Sequence, residues 1–376
     1  MQKGRRRWRT WLHASHKWAG LSLGALFVLL GLTGSLLVFY QELDDGFRDS
    51  GSAPLLAVSP DRIVAALRAA EPERGGPWRI ELPDRAKAPI TARYLNPTET
   101  AGRSFAPLIL RLDPESLAVR ERYFWGENVW TWIYKLHYTL LLGPVGSIVL
   151  GIAGLLTLLL LGSGLILWWP AAGQWPGALA IKRGAVWKRR VYDLHVKPGV
   201  YVVMLSLVVV LTGTMMAVPD WFKPGIGWFS PFTAVGGPGQ RPPMAGPPVL
   251  TAEAAMATAG ARFPTAHVRW IETPGVDQPY WRVQMRQEGE PNRRFPRSQV
   301  WIDAVSGDLI AVRDPRRNSA GDSIFDWLHP LHNGEALGLA GRIAVFLLGF
   351  APLLAFVTGW IRWQHKRAAS RSVPAR

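Results

Sequence analysis

The sequence predicts a membrane all-α four-helix bundle, built as two parallel repeats about a pseudo-twofold axis along the membrane normal, with two α+β modules outside the bilayer. Three observations carry this expectation. Four stretches of membrane-crossing length have interiors free of Asp, Glu, Lys and Arg, the excess positive charge lies on one side of them, and the chain matches itself at two fixed offsets.

A helix that crosses a bilayer needs about 20 apolar residues. Residues 18–40, 143–169, 198–218 and 343–363 qualify, each ending beside Trp, Tyr or a charge. The first, at about 23 residues, is longer than a signal-peptide core, and no small-x-small cleavage site follows promptly, so it is expected to stay as an anchor. Residues 1–17 hold six Lys and Arg, residues 170–197 six and residues 362–376 five, against one acid, Asp193. The rest of the chain holds 26 basic and 26 acidic residues, so the whole formal charge of +16 sits on one membrane face. By the positive-inside rule that face is cytoplasmic. Residues 1–17, 170–197 and 364–376 are then cytoplasmic, and residues 41–142 and 219–342 lie outside. The charge sets topology beside anionic lipid, which removes the case for a nucleic-acid partner.

The duplication is ungapped. His16, Gly20, Thr33 and Gly34 fall on His195, Gly199, Thr212 and Gly213 at an offset of 179, and Leu136, His137, Gly143, Gly146, Gly164 and Trp168 fall on Leu331, His332, Gly338, Gly341, Gly359 and Trp363 at an offset of 195. The unit of span, outer module and span is thus used twice, each time starting and ending in the cytoplasm. Each outer module reads as one helix followed by an antiparallel meander. In the first the helix is 59–70 and the strands lie in 77–83, 88–95 and 108–123; in the second the helix is 251–263 and the strands lie in 266–274, 280–287 and 298–314. Both meanders end in a turn, opened by Asp113 and by Asp303. Residues 219–249, rich in Pro, Gly, Trp and Phe, are expected to form an irregular interfacial loop.

The chain has no Cys, which excludes disulfides, thiolate metal sites, Fe–S clusters and covalent haem attachment. Of eight His, four open duplicated motifs. The pseudo-twofold would set His16 against His195 near the cytoplasmic face and His137 against His332 near the outer face. Two facing imidazoles with no carboxylate nearby in sequence suit a six-coordinate, non-covalent b-type haem better than Zn or Cu, giving two haems per chain with His16, His195, His137 and His332 as axial ligands to the iron. The bland reading of a single such His is an interfacial helix cap. Gly20, Gly24, Gly31 and Gly34, with Gly143, Gly146, Gly151, Gly154 and Gly164, suit the approach of a flat macrocycle and equally suit close helix packing. His13 and His329, whose repeat equivalents are Tyr192 and Tyr134, form a secondary group that could orient a propionate, carry a proton or replace a neighbouring ligand. His267 and His365 read as surface residues. Arg9, Lys17, Lys188, Arg189 and Arg190 inside, and Lys135 and Arg342 outside, are candidate propionate donors. Trp125, Trp130, Trp132 and Trp327 outside, and Trp168, Trp169 and Trp363 inside, read first as interfacial belt residues.

The strings HKWAGL, LHYTLLLG, DLHVKPG and LHPLHNGEALG, each leading into a span that ends in Thr-Gly or Ser-Gly, resemble the PepSY-associated transmembrane family over nearly the whole chain. That resemblance implies a bacterial inner-membrane protein with four spans and two periplasmic PepSY modules. Within the family the chain looks most like the ferric-siderophore reductases, which implies haems at the two membrane faces and periplasmic reduction of siderophore-bound Fe(III) to Fe(II). Lys197-Pro198 departs from the plainer third span of the family, and bears on the geometry at His195.

No dinucleotide, Walker or flavin fingerprint occurs in the short cytoplasmic segments, so the electron donor is expected to be a separate cytoplasmic partner. No catalytic residue is expected apart from the haems. Two further readings stay open: a siderophore or iron transporter, disfavoured by spans without ionisable residues, and a periplasmic sensing or regulatory protein without redox activity, in which the His are structural.

Overall fold

The computed structural model describes residues 2–44, 58–83, 88–182, 184–233, 237–239, 241–244 and 246–371. In chain order the elements are α1 (Gln2–Val38), α2 (Tyr40–Asp44), α3 (Pro60–Ala70), β1 (Trp78–Glu81), β2 (Ile90–Tyr94), β3 (Leu108–Leu112), β4 (Val119–Phe124), α4 (Val129–Thr139), α5 (Gly143–Trp168), α6 (Trp175–Leu179) and α7 (Trp187–Ala217). There follow α8 (Pro219–Phe229), α9 (Ala252–Arg262), β5 (His267–Glu272), β6 (Tyr280–Arg286), β7 (Ser298–Asp303), β8 (Leu309–Arg313), α10 (Ala320–His332), α11 (Gly338–Leu348) and α12 (Ala351–Arg371). They fall into two compact units, one of residues 1–39, 134–222 and 331–376, the other of residues 40–133 and 223–330.

The first unit is helical. Four stretches are long and apolar enough to cross a membrane: Arg7–Val38, Gly143–Trp168, Trp187–Ala217 and Glu335–Ala368. Helices α1 and α7 each pack against α5, α11 and α12. Small residues set the spacing, because without a Cβ the backbones approach closely. A Cβ at Gly31 would overlap the Gly349 carbonyl oxygen, and one at Gly151 would lie 2.7 Å from the Val218 side chain. The fourth span, expected as one helix over 343–363, is broken between Leu348 and Ala351. Pro352 has no N–H to offer the Leu348 carbonyl, and α1 clamps the preceding turn through Ser35 Oγ, which donates to the Phe346 carbonyl at 2.7 Å. Helix α7, in contrast, runs through Pro198. The irregular loop expected over 219–249 is also corrected. Its first 11 residues are helix α8, begun by Pro219 in the first turn, where a missing N–H costs nothing; residues 234–236, 240 and 245 lie outside the described residues.

The second unit is an eight-stranded antiparallel sheet in the order β4-β3-β2-β1-β5-β6-β7-β8. The two expected modules share one sheet, joined by β1 against β5 with Arg79 opposite Glu272, Ile80 opposite Ile271 and Glu81 opposite Trp270. Joining these strands removes two edges whose unpaired N–H and C=O groups would otherwise need cover. Strand alternation divides the faces. Ile80, Ala92, Leu110, Trp281, Val283 and Ile302 share one core with Ile63 and Leu67 of α3 and with Ala255 and Ala259 of α9. The intervening positions are polar yet buried, including Glu81, Arg93, Arg111, Glu272, Gln284 and Gln299.

The two terminal hairpins are built alike. Asp113 Oδ1 accepts the backbone N–H groups of Glu115 and Ser116, and Asp303 Oδ1 those of Val305 and Ser306. The left-handed position of the second turn is Gly307, at φ +77°; the first places Leu117 there at φ +61°, its side chain in the core. The Ser306 and Val305 N–H groups hold the Asp303 carboxyl below its ordinary value of 3.8. A depressed carboxyl stabilises the fold above the ordinary value and ceases to do so as pH falls through the lowered one. Asp303→Ala is expected to cost on the order of 1 kcal/mol at neutral pH, since solvent screens the carboxylate. The gap in melting temperature between wild type and variant should close on acidification below pH 4; a gap independent of pH would contradict the charge-based account.

Candidate functional site: paired imidazoles at two ends of the helices

Within the helical unit the structure brings four of the sequence-selected histidines together in twos. The rings of His16 on α1 and His195 on α7 have centroids 6.5 Å apart and planes at 86°. The rings of His137 on α4 and His332 on α10 have centroids 6.1 Å apart and planes at 54°. The pairs lie at opposite ends of the helices. His137 is held by Thr33, which is 17 residues beyond His16 on α1, and at 1.5 Å per residue that is about 26 Å.

Each imidazole is fixed by its Nδ1. His16 Nδ1 is 2.8 Å from Ser163 Oγ, and His137 Nδ1 is 3.0 Å from Thr33 Oγ1. His195 Nδ1 is 3.1 Å from both the Ala355 carbonyl and Thr358 Oγ1. His332 Nδ1 is 2.9 Å from the Val209 carbonyl and 3.5 Å from Thr212 Oγ1. The four hydroxyls spend their own protons on helix carbonyls: Thr33 on Leu29, Ser163 on Leu160, Thr212 on Val208 and Thr358 on Leu354. They can therefore only accept from the imidazoles, so each His carries its proton on Nδ1 and keeps the Nε2 lone pair for something else. The residue after each hydroxyl is Gly, and a Cβ there would meet imidazole Cε1, at 2.9 Å for Gly34, 3.1 Å for Gly164, 2.7 Å for Gly213 and 3.3 Å for Gly359. The Ser/Thr-Gly steps are thus sockets. Each socket belongs to the same half of the chain as its His, whereas each pair takes one His from either half.

The geometry fits a metal between two rings. An imidazole nitrogen lies about 1.1 Å from its ring centre and about 2.0 Å from a bound metal, which puts two such centres on opposite sides of one metal about 6.2 Å apart. No group of three or more His, Asp or Glu able to hold a bare ion occurs among the described residues, so a two-imidazole site suits a metal whose other ligands come with it, as in haem. The glycine reading divides accordingly. Gly24, Gly31, Gly146, Gly151 and Gly154 face neighbouring helices or backbone, and Gly34 and Gly164 seat imidazoles, but Gly20 and Gly199, one turn beyond His16 and His195, have no atom within 4 Å of an added Cβ. Those two leave room for a flat group beside the rings.

The secondary candidates lie elsewhere. His13 is exposed, with Nε2 3.2 Å from Lys366 Nζ. Tyr192 is exposed, with Arg189 and Arg362 over its ring at 5.2 and 4.7 Å. Tyr134 packs edge-on against Tyr138. His329, in the sheet unit, packs on Phe295 and lies 3.4 Å from Asn292 Nδ2. His267 is exposed and His365 half-buried. Of the basic residues singled out as propionate donors, Arg9 donates to the Leu167 carbonyl, Arg189 pairs with Asp193, and Arg342 donates to the Val38 carbonyl over the Phe39 ring. Lys197 joins the same buried Asp193 at 3.7 Å, and the departure at Lys197-Pro198 leaves His195 in its socket. Sequence reasoning missed Ser163, Thr33, Thr212 and Thr358 as histidine partners, although their pairing with Gly at four span ends was the signal.

Four membrane-length helices, with one imidazole pair on two of them and the other on the short helices that lead into the remaining two, and an eight-stranded sheet unit between them in sequence, define a multi-pass membrane protein. The sequence pattern of the PepSY-associated TM region matches residues 3–366, and the chain belongs to that family. A search of curated proteins found no match.

Proposed function

We propose that the protein is a bacterial inner-membrane di-haem electron conduit that reduces Fe(III)-siderophores to Fe(II) on the periplasmic side. The observation that carries this is the pair of imidazole pairs, each ring anchored at Nδ1, with centroids 6.5 and 6.1 Å apart. His16 and His195 would hold one b-type haem and His137 and His332 the other, and each haem would supply one-electron carriage. The sockets keep the rings in the tautomer that offers Nε2, and their hydroxyl and carbonyl partners raise the basicity of that nitrogen. The separation of about 26 Å along α1 is close to the hydrocarbon thickness, so the pairs serve opposite faces. Orientation follows from the basic flanks, which put both termini and the His16–His195 end in the cytoplasm. There a separate donor supplies electrons. One electron per Fe(III) leaves Fe(II), which the hard oxygen ligands of a siderophore hold far less tightly, so the metal is released.

The test is an optical spectrum of the detergent-purified protein, oxidised and dithionite-reduced, with pyridine haemochrome stoichiometry. Two non-covalent low-spin haems per chain are expected, with the reduced form reoxidised by ferric siderophores in stopped flow. A chain that holds no haem after expression with haem supply would overturn the proposal and favour transport or periplasmic sensing.

A further inference from the structure

Helix α8 leaves bulky aromatic side chains uncovered. Trp228 and Phe229 are each 87% exposed, and Trp221, two turns before Trp228, is 49% exposed. With 3.6 residues per turn, Trp221, Gly225, Trp228 and Phe229 fall on one face of the helix. Asp220 and Lys223, also exposed, lie on the opposite side, and Phe222 and Ile226 between the two faces are half-buried.

This aromatic face is held in place at both ends. Only Val218 separates α8 from the end of α7, the third span. At the other end the first turn of α10 closes on it: a Cβ at Gly321 would lie 2.7 Å from the Ser230 carbonyl oxygen and 3.5 Å from the Ile226 side chain. Gly321 N–H donates to Ser230 Oγ at 2.9 Å, and Thr233 donates its N–H and its hydroxyl to the buried Asp322 at 2.9 and 2.8 Å. Phe232 packs edge-on against Phe325. So fastened, α8 keeps its aromatic face turned outward and is tied to α10, the helix that ends at His332.

Position decides what covers such rings. A helix that starts one residue beyond a membrane span begins at the headgroup layer, where a tryptophan buries its ring against the acyl chains and keeps its N–H in the polar zone. An aromatic face opposite a charged one is the pattern of a helix lying in that plane. Flat in the interface, Trp221 and Trp228 reach one depth; upright, they would differ by about 10 Å. The same construction recurs at repeat-equivalent positions. Val129 and Trp132 on α4, and Ile324 and Trp327 on α10, are all exposed on helices that lead into the second and fourth spans.

We propose that α8 is an interfacial anchor whose Trp221, Trp228 and Phe229 face inserts into the outer leaflet at the boundary of headgroups and acyl chains. The chain has no Cys, so a single introduced one carries a nitroxide label at a unique place. Gly225→Cys puts the label on the aromatic face, with no neighbouring atom within 4 Å of the new Cβ and no anchor removed, and Lys223→Cys puts it opposite. The full-length protein is studied in nanodiscs of phosphatidylethanolamine and phosphatidylglycerol by power-saturation electron spin resonance. Oxygen concentrates in lipid and a nickel chelate stays in water, so the ratio of oxygen to nickel collisions should be at least about threefold higher at 225 than at 223. Trp228→Glu with Phe229→Glu should bring the ratio at 225 down to that at 223. A label at 225 that meets the nickel chelate as freely as one at 223 would place the face in water. One that meets neither collider would place it under protein, a partner or a second copy. Either result overturns the proposal, as does a ratio at 225 unmoved by the two glutamates; if the glutamate variant fails to fold, the comparison of 225 with 223 decides. The labels report depth and not redox state, so the haem spectrum is judged apart from them.

Discussion

If the chain holds the two haems proposed above, His137→Ala is expected to carry one in place of two, and to lose external ferric-chelate reduction by more than about 100-fold, as removal of a direct ligand must exceed the 10–100-fold typical of its outer partners. The remaining imidazole, His332, keeps its bonds to Val209 and Thr212, but one ring cannot supply both axial positions. The His16–His195 pair sits about 26 Å away along α1 in sockets of its own, and sites so far apart with no shared partner behave independently. Its low-spin signal should therefore survive intact. His16→Ala should give the mirror result, retaining the other signal while losing electron supply from the cytoplasmic side. Difference spectra with haemochrome quantification check both variants. Loss of both haems from either substitution, or loss of a haem from His13→Ala or His329→Ala alone, would contradict the pairing.

The second large effect, on the same reading, concerns the glycines that seat the imidazoles. Alanine at Gly213 would place Cβ 2.7 Å from His332 Cε1, closer than real Cβ atoms come to such a neighbour, while the same change at Gly34, Gly164 and Gly359 gives 2.9, 3.1 and 3.3 Å. Haem occupancy should fall in that order, with Gly213→Ala emptying its pair almost as fully as removal of His332 and Gly359→Ala close to wild type. Gly162→Ala, with open space beside it, is the control in α5, the helix that carries Gly164. Valine at Gly213 should be at least as severe as alanine. A flat response across the series, with folded protein in each case, would mean that the sockets do not set the ring positions.

Much of this site was legible in the sequence. His16, His137, His195 and His332 stood out because duplication puts each at the head of a repeated string, and two-fold related positions near one membrane face must approach one another if the repeats pack face to face. The Thr-Gly and Ser-Gly steps were visible too, but their meaning was not. A hydroxyl and a missing Cβ at one span end become a socket only when another helix delivers an imidazole there, and nothing in local sequence fixes that delivery. Helix α8 was hidden for a different reason: Pro219 and Pro224, with two glycines, read as loop in isolation, whereas Pro219 opens the helix. The buried arginine cluster escaped because Glu81, Arg93, Arg111 and Arg269 come from distant segments and look like ordinary strand residues, while Arg294 lies in the connection between β6 and β7. Alternation assigns Glu81, Arg93 and Arg111 to the face opposite the core, but Arg269 sits at a shift of register between Val268 and Trp270 that local sequence does not announce, and the burial of the cluster appears only in the folded sheet.

The cross-half pairing has a consequence for ancestry. Residues 1–169 would contain His16 and His137 with the hydroxyls that hold them, Ser163 and Thr33, yet neither imidazole would have an opposite number. Strand β1 would end that half's sheet with its hydrogen-bonding edge bare. A single-copy forerunner would complete either imidazole pair only as a homodimer. In a single chain that carries both halves the partner is permanent, and each half is free to differ from the other. The turn that holds Leu117 in one half and Gly307 in the other is a record of that freedom.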